Sequence, residues 1–279
     1  MRPRLPDRAP SADTRGCVYQ PDFLTEPERA SLVAWLGTLR PLWEFRYSTV
    51  RPPPAGEAQR SLLRPVYWLG NWQFACLGYY EPPRRVRDCA VAAEPFPPFL
   101  ARIVARIERR ARGSLPPGFV PPGWKLNTCL VNFYGARQQP DGTWIDAARV
   151  GEHRDFEFGP VGSLSVGERA RFQFVPRGRD AAPVRTVWLE DRSLQVFAGP
   201  YWKESLLHRV QRVEDRLGIE LPPSVAGFRT RRINLTFRCV PDADVVSYAR
   251  LGAQAREDVR GYVATLAQSS SFWAAAHAT

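Results

Sequence analysis

The tripeptide His153-Arg154-Asp155 sets an imidazole and a carboxylate two positions apart. A strand turns residues i and i+2 to the same face, so both groups can address one point. The chain has three histidines, and besides His153 these are His208 and His277. His153 and Asp155 with His208 make two imidazoles and one carboxylate. That is the facial triad that holds non-heme Fe(II) in oxygenases and leaves metal positions open for a co-substrate and oxygen. A His followed two residues later by an Asp also arises by coincidence, so the reading needs support from elsewhere in the chain.

Arg232-Ile233-Asn234-Leu235-Thr236-Phe237-Arg238 offers it. Alternation places Arg232, Asn234, Thr236 and Arg238 on one face, and Ile233, Leu235 and Phe237 on the other. If the polar face points into a barrel, two guanidiniums are buried and need partners. A dicarboxylate would provide them, because Arg binds carboxylates in a bidentate fork. The two Cα atoms lie roughly 20 Å apart at ~3.3 Å per residue, within reach of one small molecule through long side chains. An edge strand with a solvated row of arginines has the same spelling. In the strand expected over 126–134, Asn132 and Tyr134 share one face and Cys129, Val131 and Phe133 the other.

These residues must be carried by short elements. The 27 prolines, many in pairs, break the 279-residue chain and exclude a helical bundle. Strands are expected at 153–158, 162–167, 170–175, 184–189, 193–197, 208–213 and 232–238, a pattern of a β-sandwich or jelly roll. Helices are expected after Thr25, which forms a capping box with Glu28, over 99–112, and within 241–279 with Val259, Tyr262, Val263 and Leu266 on one face. Stretches 135–150 and 217–227 read as an insertion and a long loop. No apolar run is long enough to span a membrane, the first residues lack the apolar core of a secretory signal, and five scattered cysteines read as reduced thiols in a cytoplasmic protein. The net charge of +11 suits a polyanion such as nucleic acid. Only Lys125 and Lys203 among 39 basic residues are lysines, a bias that GC-rich coding also produces. Residues 41–90 interleave aromatics with arginines, a mixture able to stack bases and hold phosphates or simply to fill short strands.

In order, Asn132-Phe133-Tyr134, His153-Arg154-Asp155, Ser163-Leu164-Ser165-Val166-Gly167, His208 and the run from Arg232 to Arg238 resemble the AlkB family of Fe(II)/2-oxoglutarate dioxygenases. The likeness covers roughly residues 17–240, and the run from Arg232 to Arg238 makes it specific to that family. It implies a mainly β (α+β) fold, a double-stranded β-helix, jelly-roll-like, with flanking helices. In that frame residues 1–16 are a disordered N-terminus and 17–240 the dioxygenase domain. Within it an N-terminal nucleotide-recognition lid falls about 41–90 and the core about 124–240, with a helical extension over 241–279. The resemblance implies Fe(II) held by His153, Asp155 and His208, which are also the catalytic set. It implies 2-oxoglutarate bound by Arg232, Arg238, Asn132, Tyr134 and Asn234, with O2 as the oxidant.

It further implies oxidative dealkylation of N-alkylated bases such as N1-methyladenine and N3-methylcytosine in DNA, with RNA as a further substrate. The co-substrate leaves as succinate and CO2, and the methyl group as formaldehyde. Glu157 is expected to contact the base, and Phe197, Trp72, Tyr79 and Tyr80 to line the substrate path. Nucleic acid is the expected partner; a membrane is not, and the chain is expected to act as a monomer. A family member working on tRNA, protein or a small metabolite is the alternative. A nucleic-acid-binding protein with a vestigial site is a remoter one.

Overall fold

The computed structural model describes residues 14–46, 60–73, 90–178, 181–213 and 218–278. Two antiparallel sheets form its centre. The larger runs in the order Cys17–Gln20, Leu194–Phe197, Val161–Gly167, Phe228–Arg238, Thr128–Gln138, Val66–Leu69. The smaller runs Arg185–Leu189, Ala170–Val175, Leu207–Gln211, Val150–His153. The sheets face each other: Phe197 of the larger packs edge-on against Phe174 of the smaller, with ring centroids 5.4 Å apart. This is the expected double-stranded β-helix, with helices outside it.

The larger sheet separates two environments. Its outer face carries Cys129, Val131, Phe133, Ile233, Leu235 and Phe237, all buried, and the helices pack there. Pro98–Ser114 covers it with Leu100, Ile103, Val104 and Ile107, the i, i+3, i+4, i+7 stripe expected from the sequence. Glu26–Leu36 starts with the expected capping box, in which Thr25 N–H donates to the Glu28 carboxylate at 2.9 Å. Val259, Val263 and Leu266 of the helix Ala253–Ala267 and Trp273 of Ser271–His277 join the same apolar cluster. The inner face is left to polar groups, with a smaller apolar plug of Phe172, Phe174, Val187, Phe197 and Trp202 closing one part of the interior.

Several segments differ from the sequence reading. The stretch 135–150 is no loose insertion: Thr128–Gln138 runs on and turns back into Trp144–Asp146, forming a hairpin that lengthens the sheet. Within 217–227 lies a further strand, Leu221–Val225, paired with Phe228–Arg238. Val66–Leu69 pairs with Thr128–Gln138 as the edge of the larger sheet. The strand bearing His153 ends at that residue, so Asp155 stands just beyond regular structure.

The most informative departure is a β-bulge at Arg231. Arg232 lies opposite Tyr134 and Thr230 opposite Gly135, so two steps on one strand match one on its neighbour. The extra residue reverses the parity of the faces. Phe228 therefore joins the outer core although Arg232, four residues on, points inward. Gly167 and Glu168 hold the bulge: the Glu168 N–H donates to the Arg231 carbonyl at 2.9 Å. A Cβ on Gly167 would lie 2.5 Å from that carbonyl oxygen. The Arg231 guanidinium pairs with Glu168 and Asp146, each at 3.1 Å.

Candidate active site

His153 and His208 lie directly opposite each other on paired strands of the smaller sheet, and their ring centroids are 4.2 Å apart. Asp155 turns back toward them, with its Oδ2 3.4 Å from the His208 Nε2. One donor atom from each of the three residues lies within 4.8 Å of the others, close enough for one ion to touch all three. The His153 Nδ1 is 2.8 Å from the Gly151 carbonyl, which accepts a hydrogen bond from Nδ1–H and leaves Nε2 as the free lone pair. Phe172 lies parallel to the His208 ring at 5.3 Å and Phe197 stands edge-on at the same distance, fixing its plane.

Electrostatics suit a cation held by neutral imidazoles and a carboxylate. Desolvation pushes His208 down to about 3 and also lowers His153, so both present lone pairs at neutral pH. Burial alone would raise the Asp155 carboxyl, but Arg238 beside it holds it well below the usual carboxylate range. Arg238 Nε donates to Asp155 Oδ1 at 2.8 Å, and the same Nε is 3.4 Å from Glu157.

Arg232 is the opposite case. It is 3% exposed and surrounded by Tyr134, whose ring lies 4.9 Å from its guanidinium carbon, and by Ser165, whose hydroxyl accepts from Nη2 at 3.0 Å. Among the described residues its Nε and Nη1 have no hydrogen-bond partner. Burial lowers its pKa from the ordinary guanidinium value. A buried cation with two unsatisfied N–H groups, on the inner face of the larger sheet, fits one carboxylate of a dicarboxylate molecule. Asn234 donates to the Ser163 hydroxyl at 2.8 Å, and Asn132 lies opposite it across the strand pair.

Residues 16–238 match the model of the 2OG-Fe(II) oxygenase superfamily. The chain belongs to that superfamily. This oxygenase is also similar in fold to the solved structure of OsALKBH1, with 22% identity and a TM-score of 0.51. That match covers 80% of this chain and 98% of the other. No curated protein matches the sequence. The oxygenase is thus an Fe(II)- and 2-oxoglutarate-dependent dioxygenase with an AlkB-like fold, and the buried donor set and the unpaired guanidinium fit both cofactors.

The structure brings together nearly every residue expected to hold iron and 2-oxoglutarate, and it redistributes the expected substrate residues. Glu157 lies beside the triad: its Oε1 accepts from Gln73 at 2.9 Å, and its Oε2 is buried without a partner among the described residues. Phe197 is buried and backs the His208 ring. Trp72, expected on a lid, is instead a core residue, 1% exposed. Its indole N–H donates to the buried Glu44 at 3.2 Å and its rings pack edge-on against Trp273. A large aromatic in an arginine-rich stretch suits a surface platform and a core equally, and here packing against the C-terminal helices claims it. Tyr79 and Tyr80 lie outside the described residues.

Two residues near the centre were not singled out for it from the sequence. Arg64 donates to Asn132 Oδ1 at 2.8 Å and lies over the Tyr134 ring, 5.1 Å from its centroid, so it steadies both side chains. Lys203 is buried in the π-helical turn Pro200–Ser205, and its Nζ donates to the carbonyls of Glu157 and, at 2.6 Å, Gly159. It thereby ties down the backbone that follows Asp155. The available signal was its type: a lysine in a chain whose other basic residues are almost all arginine. A compact ammonium fits between two carbonyls where a planar guanidinium does not.

Proposed function

We propose that this oxygenase removes alkyl groups from N-alkylated nucleobases, such as N1-methyladenine and N3-methylcytosine, in DNA and also in RNA, and so serves repair of alkylated nucleic acid. The observation that carries the reading is Glu157. Its carboxylate sits beside the metal ligands with one buried oxygen unpartnered, where it can accept from the exocyclic amine of a base made cationic by alkylation. The net charge of +11 adds a long-range attraction for a polyanion.

Bound Fe(II) with 2-oxoglutarate and O2 supplies the oxidising power for C–H hydroxylation, and an N-hydroxymethyl product loses formaldehyde to restore the base. The chain supplies position and charge. His153, Asp155 and His208 would hold the ion. Arg232, with Tyr134, Asn132 and Asn234, would hold the co-substrate. Arg238 keeps Asp155 ionised and links it to Glu157, so the ligand set and the base-reading carboxylate are fixed relative to each other. A target base has to leave its stack to reach this interior, at least cost when it is damaged or unpaired.

The test is a turnover panel of methylated bases in single- and double-stranded DNA and RNA, with Fe(II), 2-oxoglutarate and ascorbate, and His153→Ala as control. Formaldehyde release from one or more lesions is expected. Glu157→Gln should change the preference among lesions more than it changes succinate formation. Succinate that responds to a tRNA, protein or metabolite target, with none of the lesions turned over, would replace the proposal.

A further inference from the structure

Phe156 and Phe158 flank Glu157 in the stretch that follows the metal ligand Asp155. Burial alternates along it: Asp155 is buried, Phe156 is 62% exposed, Glu157 is half-buried and Phe158 is 42% exposed. Among the described residues neither ring packs on another aromatic ring or beneath a guanidinium. Two phenyl rings left in water one and three residues from a metal ligand gain nothing for the fold.

The backbone that presents them is held from within. Lys203 takes the carbonyls of Glu157 and Gly159, and Gln73 and Arg238 hold the Glu157 carboxylate. Gly159, at φ +69°, lies so close to Trp124 that a Cβ would stand 2.4 Å from the indole. The rings are therefore displayed by a fixed strip. Two guanidiniums belong to the same region: Arg154, two residues before Phe156, and Arg177 both donate to the Glu204 carbonyl, at 2.7 and 3.3 Å. A protein partner of the usual kind asks for a contiguous apolar patch. Rings interleaved with guanidiniums instead match a nucleic-acid strand, because every base offers a π-face and every linkage a phosphate.

We infer that Phe156 and Phe158 form a stacking platform at the rim of the metal centre for unpaired nucleotides beside the target base, with Arg154 and Arg177 meeting the phosphates. The inference rests on the nucleic-acid function proposed above. The platform takes neighbours of the target and leaves the target itself to Glu157.

The test measures fluorescence anisotropy of labelled methylated oligonucleotides, single-stranded and duplex, DNA and RNA, with the full chain and with Phe156→Ala, Phe158→Ala, the double variant and Phe156→Trp/Phe158→Trp. Each alanine is expected to weaken binding of the single strand about tenfold or more, the range of base-stacking on an aromatic. KM for the oligonucleotide should rise in step while kcat holds, the tryptophan variant should restore binding, and melting temperatures should stay at the parent's value. If the parent binds and demethylates oligonucleotides and the double variant does so equally well, the platform is wrong and the proposed function stands. If the parent neither binds nor demethylates any of them, both fall.

Discussion

Replacing Arg232 with Met should make the cofactor-free protein more stable while removing its hold on 2-oxoglutarate. In the folded chain the guanidinium is buried, two of its nitrogens lack a partner, and its contacts are the Ser165 hydroxyl and the Tyr134 ring. Losing the Ser165 hydrogen bond costs about 1 kcal/mol. Losing the cation–π contact costs roughly another 1 kcal/mol. Against this, each buried unsatisfied polar group is worth about 1–3 kcal/mol, and exchanging buried ions for apolar side chains of like volume gains about 1–4 kcal/mol. The net is a gain on the order of 1–2 kcal/mol, which raises the melting temperature by roughly 2–8 °C for a domain of this size. Removing one partner of a buried charged pair costs about 2–5 kcal/mol of binding, so 2-oxoglutarate affinity should fall from about 30-fold to several thousandfold.

Arg238→Met should do the reverse to stability, because its partners Asp155 and Glu157 stay buried and lose their counter-charge. A loss of about 3–5 kcal/mol is expected there. Thermal unfolding without metal, and calorimetric titration of 2-oxoglutarate with Mn(II) in place of iron, measure both. An Arg232→Met protein that melts below the parent, or that binds 2-oxoglutarate within about threefold of it, would refute the argument that this arginine waits for an anion.

Metal occupancy should be visible as stability. A redox-inert divalent ion at about 100 times its dissociation constant adds roughly 2.7 kcal/mol to the parent, and His208→Ala should abolish the corresponding shift in melting temperature. Lys203→Met keeps the volume but frees the carbonyls of Glu157 and Gly159. It should lower kcat/KM for the nucleic-acid substrate by about tenfold, on the order of one lost charged hydrogen bond, with the metal-induced thermal shift retained. Burial pushes the Cys17 thiol up to about 11 and that of Cys129 well above its ordinary value. Alkylation at pH 8 mapped by mass spectrometry should therefore leave both unmodified in the folded protein and label them after denaturation.

The inner face of the larger sheet was legible because strand alternation is strict. Ile233, Leu235 and Phe237 against Asn234 and Arg238 read as two faces, and the structure has those faces. His208 was legible only as a rare residue type; its place opposite His153 is a long-range pairing that no local pattern encodes. Asp155 works without a strand to hold it, because Arg238 fixes it from another sheet. Trp72 could not be placed from sequence, since an indole serves a core and a platform equally well and the C-terminal helices decide between them. The bulge left one trace in the sequence: apolar positions change parity between Phe228 and Ile233.

That bulge makes position 231 a place where the strand can lose a residue without exchanging its faces. A substitution at Arg231 removes its pairs with Glu168 and Asp146 and leaves every face where it was. Deleting the residue would set Thr230 next to Arg232 in regular pairing with Gly135 and Tyr134, so alternation alone would keep Phe228 and Thr230 on the outer face and Arg232 on the inner one. Relatives of this chain can thus keep the same two faces with either two residues between Phe228 and Arg232 in regular pairing or three with the bulge.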